Sequence, residues 1–246
     1  MSTKKTVIVT GASSGIGFAI AKAYIERGYN VIANSSKLEN LEKAYQSLGR
    51  PANCHLIAGD ISKPETAQHL FQYAEQQFNQ VDILINNVGI FISKPFTEYT
   101  TLDVDQMFDI NLRSFIYSSQ AAAQHMSQFK SGHIVTITAA LAMQPNANLP
   151  ALLPVLTKGG LNSAIKTLAL ELAPMNIMVN AVAPGVIETP MHGDNEELKT
   201  ILKSMAPTHR LGQSQDIVDA VLYLTDSTFV TGSILPVDGG STAGTW

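Results

Sequence analysis

Seven short apolar runs, most of them rich in β-branched residues, are spaced along this chain with a longer amphipathic stretch between neighbours. The runs fall at residues 6–10, 30–34, 54–58, 81–85, 133–138, 177–182 and 233–237. Helical periodicity occupies residues 16–27, 38–48, 65–78, 102–128, 153–172 and 215–224. Runs that are apolar throughout, rather than alternating, suit strands covered on both faces by helices. The alternation predicts an α/β fold, a single doubly wound parallel sheet of about seven strands joined by right-handed crossovers. No linker, repeat or low-complexity tract divides the 246 residues, so one domain over 1–246 is expected. Two stretches are less regular: 142–154, rich in proline and asparagine, and 188–210, which follows the sixth run. Ligands of such sheets bind beyond the carboxyl ends of strands, which makes both stretches candidate site loops.

Composition narrows the function. Sixteen basic residues against twenty acidic ones give a net charge of −4, so no basic surplus points to nucleic acid or an anionic membrane. Apolar side chains make up 45% of the chain, ample for a buried core. Cys54 is the single cysteine, which excludes an internal disulfide and fits a reducing compartment. The six histidines do not pair at metal-ligand spacing with one another or with Cys54, and no metal is expected. No signal-type segment opens the sequence and no apolar run is long enough to span a bilayer, so a cytoplasmic protein is expected.

The first run ends in Thr10-Gly11-Ala12-Ser13-Ser14-Gly15-Ile16-Gly17, which opens the first helix. Glycines permit a tight turn and close backbone approach, and free N–H groups at a helix start attract phosphate. The spacing G-x-x-x-G-x-G differs from the G-x-G-x-x-G of the common dinucleotide fingerprint. An ordinary glycine turn gives the same letters; the placement between first strand and first helix is what points to a nucleotide.

With this loop the chain resembles the short-chain dehydrogenase/reductase family, its 3-oxoacyl-acyl-carrier-protein reductase-like members among them, and the likeness runs from Thr6 to Gly240. Gly59-Asp60-Ile61 is similar to the family's adenine-binding segment, and Asn86-Asn87-Val88-Gly89 to its N-N-A-G motif with valine for alanine. Asn180-Ala181-Val182-Ala183-Pro184-Gly185, followed by Ile187 and Thr189, is similar to the segment that holds the nicotinamide carboxamide. Val237-Asp238-Gly239-Gly240 is similar to the closing segment. The resemblance implies a Rossmann sheet and an NAD(P)-dependent oxidoreductase. It implies a cofactor site of Gly11, Ser13, Ser14, Ile16, Gly17, Asp60, Ile61, Asn87, Gly89, Lys158, Pro184, Gly185, Ile187 and Thr189. Each motif also has a plainer role: Asn86 and Asn87 as partners for backbone groups at a strand end, Asp60 as an Asx-turn residue or helix cap, Pro184-Gly185 as a chain turn. Their occurrence together and in order favours the nucleotide.

The end of the second run bears on the choice between NAD and NADP. A carboxylate there takes the ribose 2′-hydroxyl, whereas basic or hydroxyl groups accept a 2′-phosphate. The segment reads Ala33-Asn34-Ser35-Ser36-Lys37, with Ser35 in the slot where NAD-using relatives carry aspartate. Ser36 and Lys37 suit a phosphate, although Lys37 also reads as a solvated helix-start charge; NADP is placed ahead of NAD.

The family's chemistry, by the same resemblance, uses Asn, Ser, Tyr and Lys. The tyrosine exchanges a proton with the carbonyl or carbinol oxygen, and because a phenol ordinarily titrates near 10 the lysine is needed to lower it. The serine holds the substrate oxygen, and the asparagine anchors a water chain. Asn111, in Asp109-Ile110-Asn111-Leu112, and Lys158 match two of the four. Asn111 shares a helical face with Met107, Phe108 and Phe115, so its amide requires buried partners, which agrees with a helix kink or a water relay, packing alone being the plainer role. Lys158 precedes Leu161, Ile165, Leu168 and Leu172 on one face and lies near a helix start, where a cation is disfavoured. A ribose ligand accounts for it better than snorkelling to water does.

The other two positions differ. The serine slot falls on Ala139, and the tyrosine slot, four residues before Lys158, falls on Pro154, which suits a first helical turn. None of the seven tyrosines realigns into that slot. Thr138 faces the other side of its strand unless the chain slips locally; water or Lys158 is a candidate source of the proton, and His192 a candidate substitute acid. Two readings stay open. One is an oxidoreductase acting on a carbonyl/alcohol pair with a non-standard proton donor. The other is a nucleotide-binding protein of the same fold with impaired catalysis and a sensing or assembly role. A substrate-covering segment near 188–210, with apolar Met143, Leu149, Leu153 and Met191, suggests a partly apolar small-molecule substrate. Relatives pair through the helices that hold Asn111 and Lys158, so a homodimer or homotetramer is expected, and the Ala121-Ala122-Ala123 face allows close helix approach.

Overall fold

The computed structural model describes residues 4–189 and 196–244. Strands β1 (Thr6–Thr10), β2 (Asn30–Ser35), β3 (Cys54–Ala58), β4 (Ile83–Asn86), β5 (Gly132–Ile137), β6 (Ile177–Pro184) and β7 (Ile234–Val237) form one sheet. Every pairing is parallel, and the order is β3-β2-β1-β4-β5-β6-β7. Between and around the strands run α1 (Gly15–Glu26), α2 (Leu38–Ser47), α3 (Pro64–Phe78), α4 (Thr101–Phe108), α5 (Ser114–Phe129), α6 (Leu152–Leu172), α7 (Glu196–Lys203) and α8 (Ser214–Asp226). This is the expected α/β class, a doubly wound Rossmann-type sheet with helices on both faces. β1 pairs with β2 on one side and β4 on the other, so the winding reverses there and leaves a crevice at the strands' carboxyl ends.

Two cores, one per face, follow from the alternation of side chains along each strand. Val7, Val9, Ile83 and Ile85 point to one face, where α1, α2 and α8 supply Ile20, Tyr24, Leu41, Val218 and Leu224. Ile8, Leu84 and Ile134 point to the other, against Leu70 and Phe71 of α3, Met126 of α5, and Leu161 and Ile165 of α6. Helices α1 and α8 are also joined by polar contacts. The Tyr24 hydroxyl lies 2.7 Å from Thr225 Oγ1 in a buried setting, and Arg27 pairs with Asp226 at 2.9 Å.

Several boundaries differ from the sequence reading, most by one or two residues. The fourth strand starts at Ile83 rather than at residue 81. Val81 is buried, but its N–H goes to His125 Nε2 (3.0 Å) rather than to a neighbouring strand, and backbone bonding to both neighbours begins at Asp82, whose N–H donates to Thr6 O and whose carbonyl accepts the His133 N–H, both at 2.9 Å. The helical stretch 102–128 resolves into α4 and α5 separated by a π-helical turn, Asp109–Arg113. The extra residue in that turn rotates one half against the other. Accordingly Phe108, expected on the Asn111 face, is 38% exposed while Met107 and Phe115 are buried. Within 188–210 the segment Glu-Glu-Leu-Lys-Thr-Ile-Leu-Lys forms α7, a two-turn amphipathic helix that follows Met191 in sequence.

Candidate functional site

The crevice is built where the ends of β1 and β4 are stitched together. Thr10 donates its hydroxyl to Ile85 O (3.3 Å) and accepts the N–H groups of Asn87 (3.0 Å) and Val88 (3.3 Å). Asn87 returns its side-chain amide to Thr10 O (3.1 Å) and Gly11 O (3.3 Å). This seats the glycine turn against the loop after β4 so closely that a Cβ at Gly17 would lie 2.3 Å from Gly11 O and 2.4 Å from Asn87 Nδ2. Ser14 occupies the extended N-cap position of α1, yet its side chain makes no cap hydrogen bond. The first helical N–H groups therefore lack a side-chain cap, the condition under which a helix start binds phosphate. Ser13, Gly15 and Ile16 are half-buried around the turn. Thr189 stands opposite, its Cγ2 3.7 Å from where a Gly15 Cβ would be.

The neighbouring strand ends form the next wall. The Ala12 N–H donates to Asn34 O and the Gly59 N–H to Ser35 O, both at 2.9 Å. Buried Asn34 adds its amide to Ile57 O (3.1 Å) and Gly59 O (3.2 Å). Ser35 ends the strand in a buried position, and Ser36 and Lys37 lie exposed beyond it, Lys37 at the N-cap of α2. Asp60 Oδ1 accepts the Ser62 N–H (2.9 Å) and hydroxyl (2.7 Å), an Asx turn that leaves Asp60 exposed next to buried Ile61. On the far side the Gly185 N–H, just past Pro184, donates to Val237 O (3.0 Å), and buried Ile187 bridges to Gly212.

Lys158 leaves the second turn of α6 and is buried, its Nζ donating to Ile137 O at 2.9 Å. Burial pushes its ammonium from the ordinary 10.5 down to about 8. Asn111, carried by the π turn, faces the backbone of Ile90. Its Oδ1 accepts the Ile90 N–H (2.8 Å), while Nδ2 donates to Ile90 O (3.1 Å) and to Thr157 Oγ1 (3.1 Å). Gly89 lies between the two side chains, since a Cβ there would sit 2.8 Å from Lys158 Nζ and 3.2 Å from Asn111 Oδ1. Residues from two separate crossovers, β4 to β5 and β5 to β6, thus converge on one point.

Pro154 is the third residue of α6, buried one turn before Lys158. Its missing N–H belongs to the first turn, where no helical acceptor exists, so the ring fits without breaking the helix. Ala139 follows β5 and presents a half-buried methyl group. Thr138 is buried with its hydroxyl turned to Val182 O (3.3 Å). Tyr24, Tyr45, Tyr73 and Tyr99 place their hydroxyls on Thr225, Pro51, His55 and Ile92. His192 and Met191 lie outside the described residues. Met143 is exposed, Leu149 half-buried and Leu153 buried. Among the described residues no three His, Cys, Asp or Glu side chains gather as a metal ion would require, and no helix is long and apolar enough to cross a membrane. The sequence reading missed Ile90 and Thr157. Thr157 carried a signal, a hydroxyl on the otherwise apolar row Leu153, Thr157, Leu161; Ile90 carried none, because only its backbone takes part.

Comparison with known proteins agrees with this geometry. Residues 11–242 match the family model described as enoyl-(acyl carrier protein) reductase. The chain is 35% identical over 251 residues to a 3alpha-hydroxysteroid dehydrogenase of Mediterraneibacter gnavus, with 98% of each chain covered. It is 30% identical over 243 residues to a 3-oxoacyl-acyl-carrier-protein reductase of Thermotoga maritima, covering 96% of this chain and 97% of that one. The solved structure of ElxO with NADP bound is similar with a TM-score of 0.91 at 27% identity, covering 98% of this chain and 100% of that one. That of YwfH, an NADPH dependent reductase involved in bacilysin biosynthesis, has a TM-score of 0.89 at 28% identity with the same coverage. The chain belongs to the short-chain dehydrogenase/reductase family of oxidoreductases.

Proposed function

We propose that the chain is an NAD(P)-dependent oxidoreductase acting on a carbonyl/alcohol pair, with NADP ahead of NAD and with Lys158 in place of a tyrosine as the proton donor. The observation that carries this reading is the buried ammonium of Lys158 beside Gly89 and Asn111, next to an intact glycine turn. The residues present fit a dinucleotide. The uncapped start of α1 suits its pyrophosphate, Ser35, Ser36 and Lys37 offer a 2′-phosphate no opposing carboxylate, and Lys158, beside Gly89, would hold the ribose. The names of the relatives from M. gnavus and T. maritima denote carbonyl or alcohol chemistry, and NADP is bound in the ElxO structure.

When bound, the nicotinamide would supply the hydride; the proton is the protein's task. With a pKa of about 8, Lys158 holds its proton at neutral pH and releases it in mild base, so it serves reduction as acid and oxidation as base. Pro154 and Ala139 are read as standing at the family's tyrosine and serine positions, where neither offers a proton or a hydrogen bond to a substrate oxygen. A positioned general acid is worth about 10²–10⁴ in rate, so turnover is expected to be slow. The same two residues favour a second reading, a nucleotide-binding protein of this fold with impaired catalysis that senses or assembles. In either case the proposal is one cytoplasmic domain, homodimeric or homotetrameric, with a partly apolar small-molecule ligand and no nucleic-acid, membrane or metal partner.

The test is titration with NADPH and NADH by fluorescence, followed by single-turnover oxidation of each against ketones, aldehydes and quinones. The expected result is tighter NADPH binding and slow oxidation, accelerated by about 100-fold in Pro154→Tyr, which returns a phenol one turn before Lys158. Binding without hydride transfer to any acceptor selects the second reading. No binding of either nucleotide refutes both.

A further inference from the structure

We propose that Thr157 is a positioning residue: its hydroxyl fixes the Asn111 amide and, through that amide, holds the Gly89–Ile90 segment against Lys158. The proposal rests on the cofactor reading above, because the cradle so held is where Lys158 would meet cofactor and substrate.

Hydrogen-bond direction at the Thr157 hydroxyl determines the arrangement. Thr157 is completely buried, and its hydroxyl has a single proton, which goes to Leu153 O at 2.9 Å with Pro154 O at 3.3 Å. Carbonyls only accept, so the Thr157 oxygen is left as an acceptor, and what lies 3.1 Å from it must be a donor. That requirement decides which way the Asn111 amide points. In the opposite orientation an amide oxygen would face a hydroxyl whose proton is committed, and the NH2 group would face the Ile90 N–H, donor against donor. With Thr157 in place, both Asn111 N–H bonds are used, on Ile90 O and Thr157, and Oδ1 takes the Ile90 N–H at 2.8 Å. Both backbone groups of Ile90 are then held by one side chain, and Gly89 is left against Lys158 Nζ.

The placement in α6 supports this role. Leu153, Thr157 and Leu161 form one i, i+4 row, and the two leucines are buried. A hydroxyl in such a row is costly unless it is bonded. Thr157 immediately precedes Lys158, so the two side chains leave the helix about 100° apart. One fixes the loop after β4, and the other reaches the end of β5.

The test compares T157V, which keeps the shape and removes the hydroxyl, with T157S, which restores it. T157V is expected to bind NADPH about tenfold more weakly, as follows from leaving one buried amide proton with only the weak acceptor Met107 Sδ, 3.8 Å from Nδ2. Its Ile90 amide is expected to exchange hydrogen about tenfold faster, while the core amides of Ile8 and Leu84 keep their protection. T157S is expected to return both values to those of the wild type. If valine prevents folding, T157A takes its place with the same expectations. Unchanged affinity and unchanged Ile90 exchange in T157V overturn the proposal, and so does a T157S variant that behaves like T157V, because the methyl packing would then be what matters. A wild-type protein that binds no NADPH overturns the cofactor reading itself, and the Ile90 exchange comparison keeps that failure separate.

Discussion

Replacing Lys158 by methionine is expected to raise the stability of the protein at neutral pH while removing its proton donor. Burial lowers the ammonium from 10.5 to about 8. At about 1.4 kcal/mol for each tenfold loss of proton affinity, holding the charge there costs about 3 kcal/mol. The variant forfeits the Nζ bond to Ile137 O, worth about 1 kcal/mol. A methionine fills similar volume without charge. The net gain is about 2 kcal/mol, or a rise in Tm of about 4–8 °C for a chain of this size. The pH dependence gives the sharper test. Between about 8 and 10.5 the unfolded wild-type chain keeps the lysine proton that the folded one has lost, so wild-type stability climbs with pH through that window. K158M lacks this slope, so the two curves cross before pH 10.5, and above that pH the wild type is the more stable by about 1 kcal/mol, the worth of its bond to Ile137 O. Cys54, pushed up to about 11 by burial, and Tyr24, also raised by burial, contribute the opposite slope in alkali, but equally in both proteins, so the difference curve isolates Lys158. Urea unfolding at pH 7, 8.5 and 10 measures it. A variant less stable than wild type at pH 7, or a difference independent of pH, refutes the reasoning.

Other positions give independent checks. Gly89→Ala puts a methyl 2.8 Å from Lys158 Nζ in a backbone of ordinary φ. NADPH affinity should fall about tenfold by fluorescence titration, with Tm nearly unchanged, because the displaced group is the end of a flexible chain. Ser35→Asp brings a carboxylate to the end of β2 and should lower the ratio of NADPH to NADH affinity by about 100-fold, measured by parallel titrations. His55, His125 and His133 are all held below the ordinary 6.5 by burial, so the unfolded chain binds more protons in mild acid. Stability should be full above pH 6.5 and fall below it, by up to about 1.4 kcal/mol per pH unit for each histidine. His125→Gln should flatten that fall in urea midpoints taken at pH 7.5, 6 and 5.

What the sequence discloses here is what short-range rules govern. The glycine turn is legible because its demand is local, a Cβ at Gly17 having nowhere to go. The strands are legible because continuous apolar runs have few other uses in a domain of this size. The π turn is legible only as a kink at a buried Asn111, not in its form, since a stripe of 3.6-residue period tolerates one inserted residue and the reason for the insertion lies on Ile90. The start of β4 is misjudged for a related reason: Val81 is as apolar as a strand residue, but a histidine 44 residues away takes its N–H. Thr157 is the clearest case. Its partner is 46 residues distant in sequence, and a buried threonine beside a lysine reads as filler until both ends of its hydroxyl are seen.

The pairing of Tyr24 with Thr225 has a consequence for how the molecule is made. The two residues are separated by 201 positions, and α8 covers the same face of the sheet as α1. At about 5–20 residues per second, translation leaves that interval open for about 10–40 s. Throughout it, one apolar side of the first helix has no cover from the last. A nascent chain therefore carries its nucleotide turn early but cannot hold it steady until α8 emerges. A message truncated before Ser214 should yield a product retained by chaperones rather than a smaller working domain. The nucleotide end of this molecule is written first and finished last.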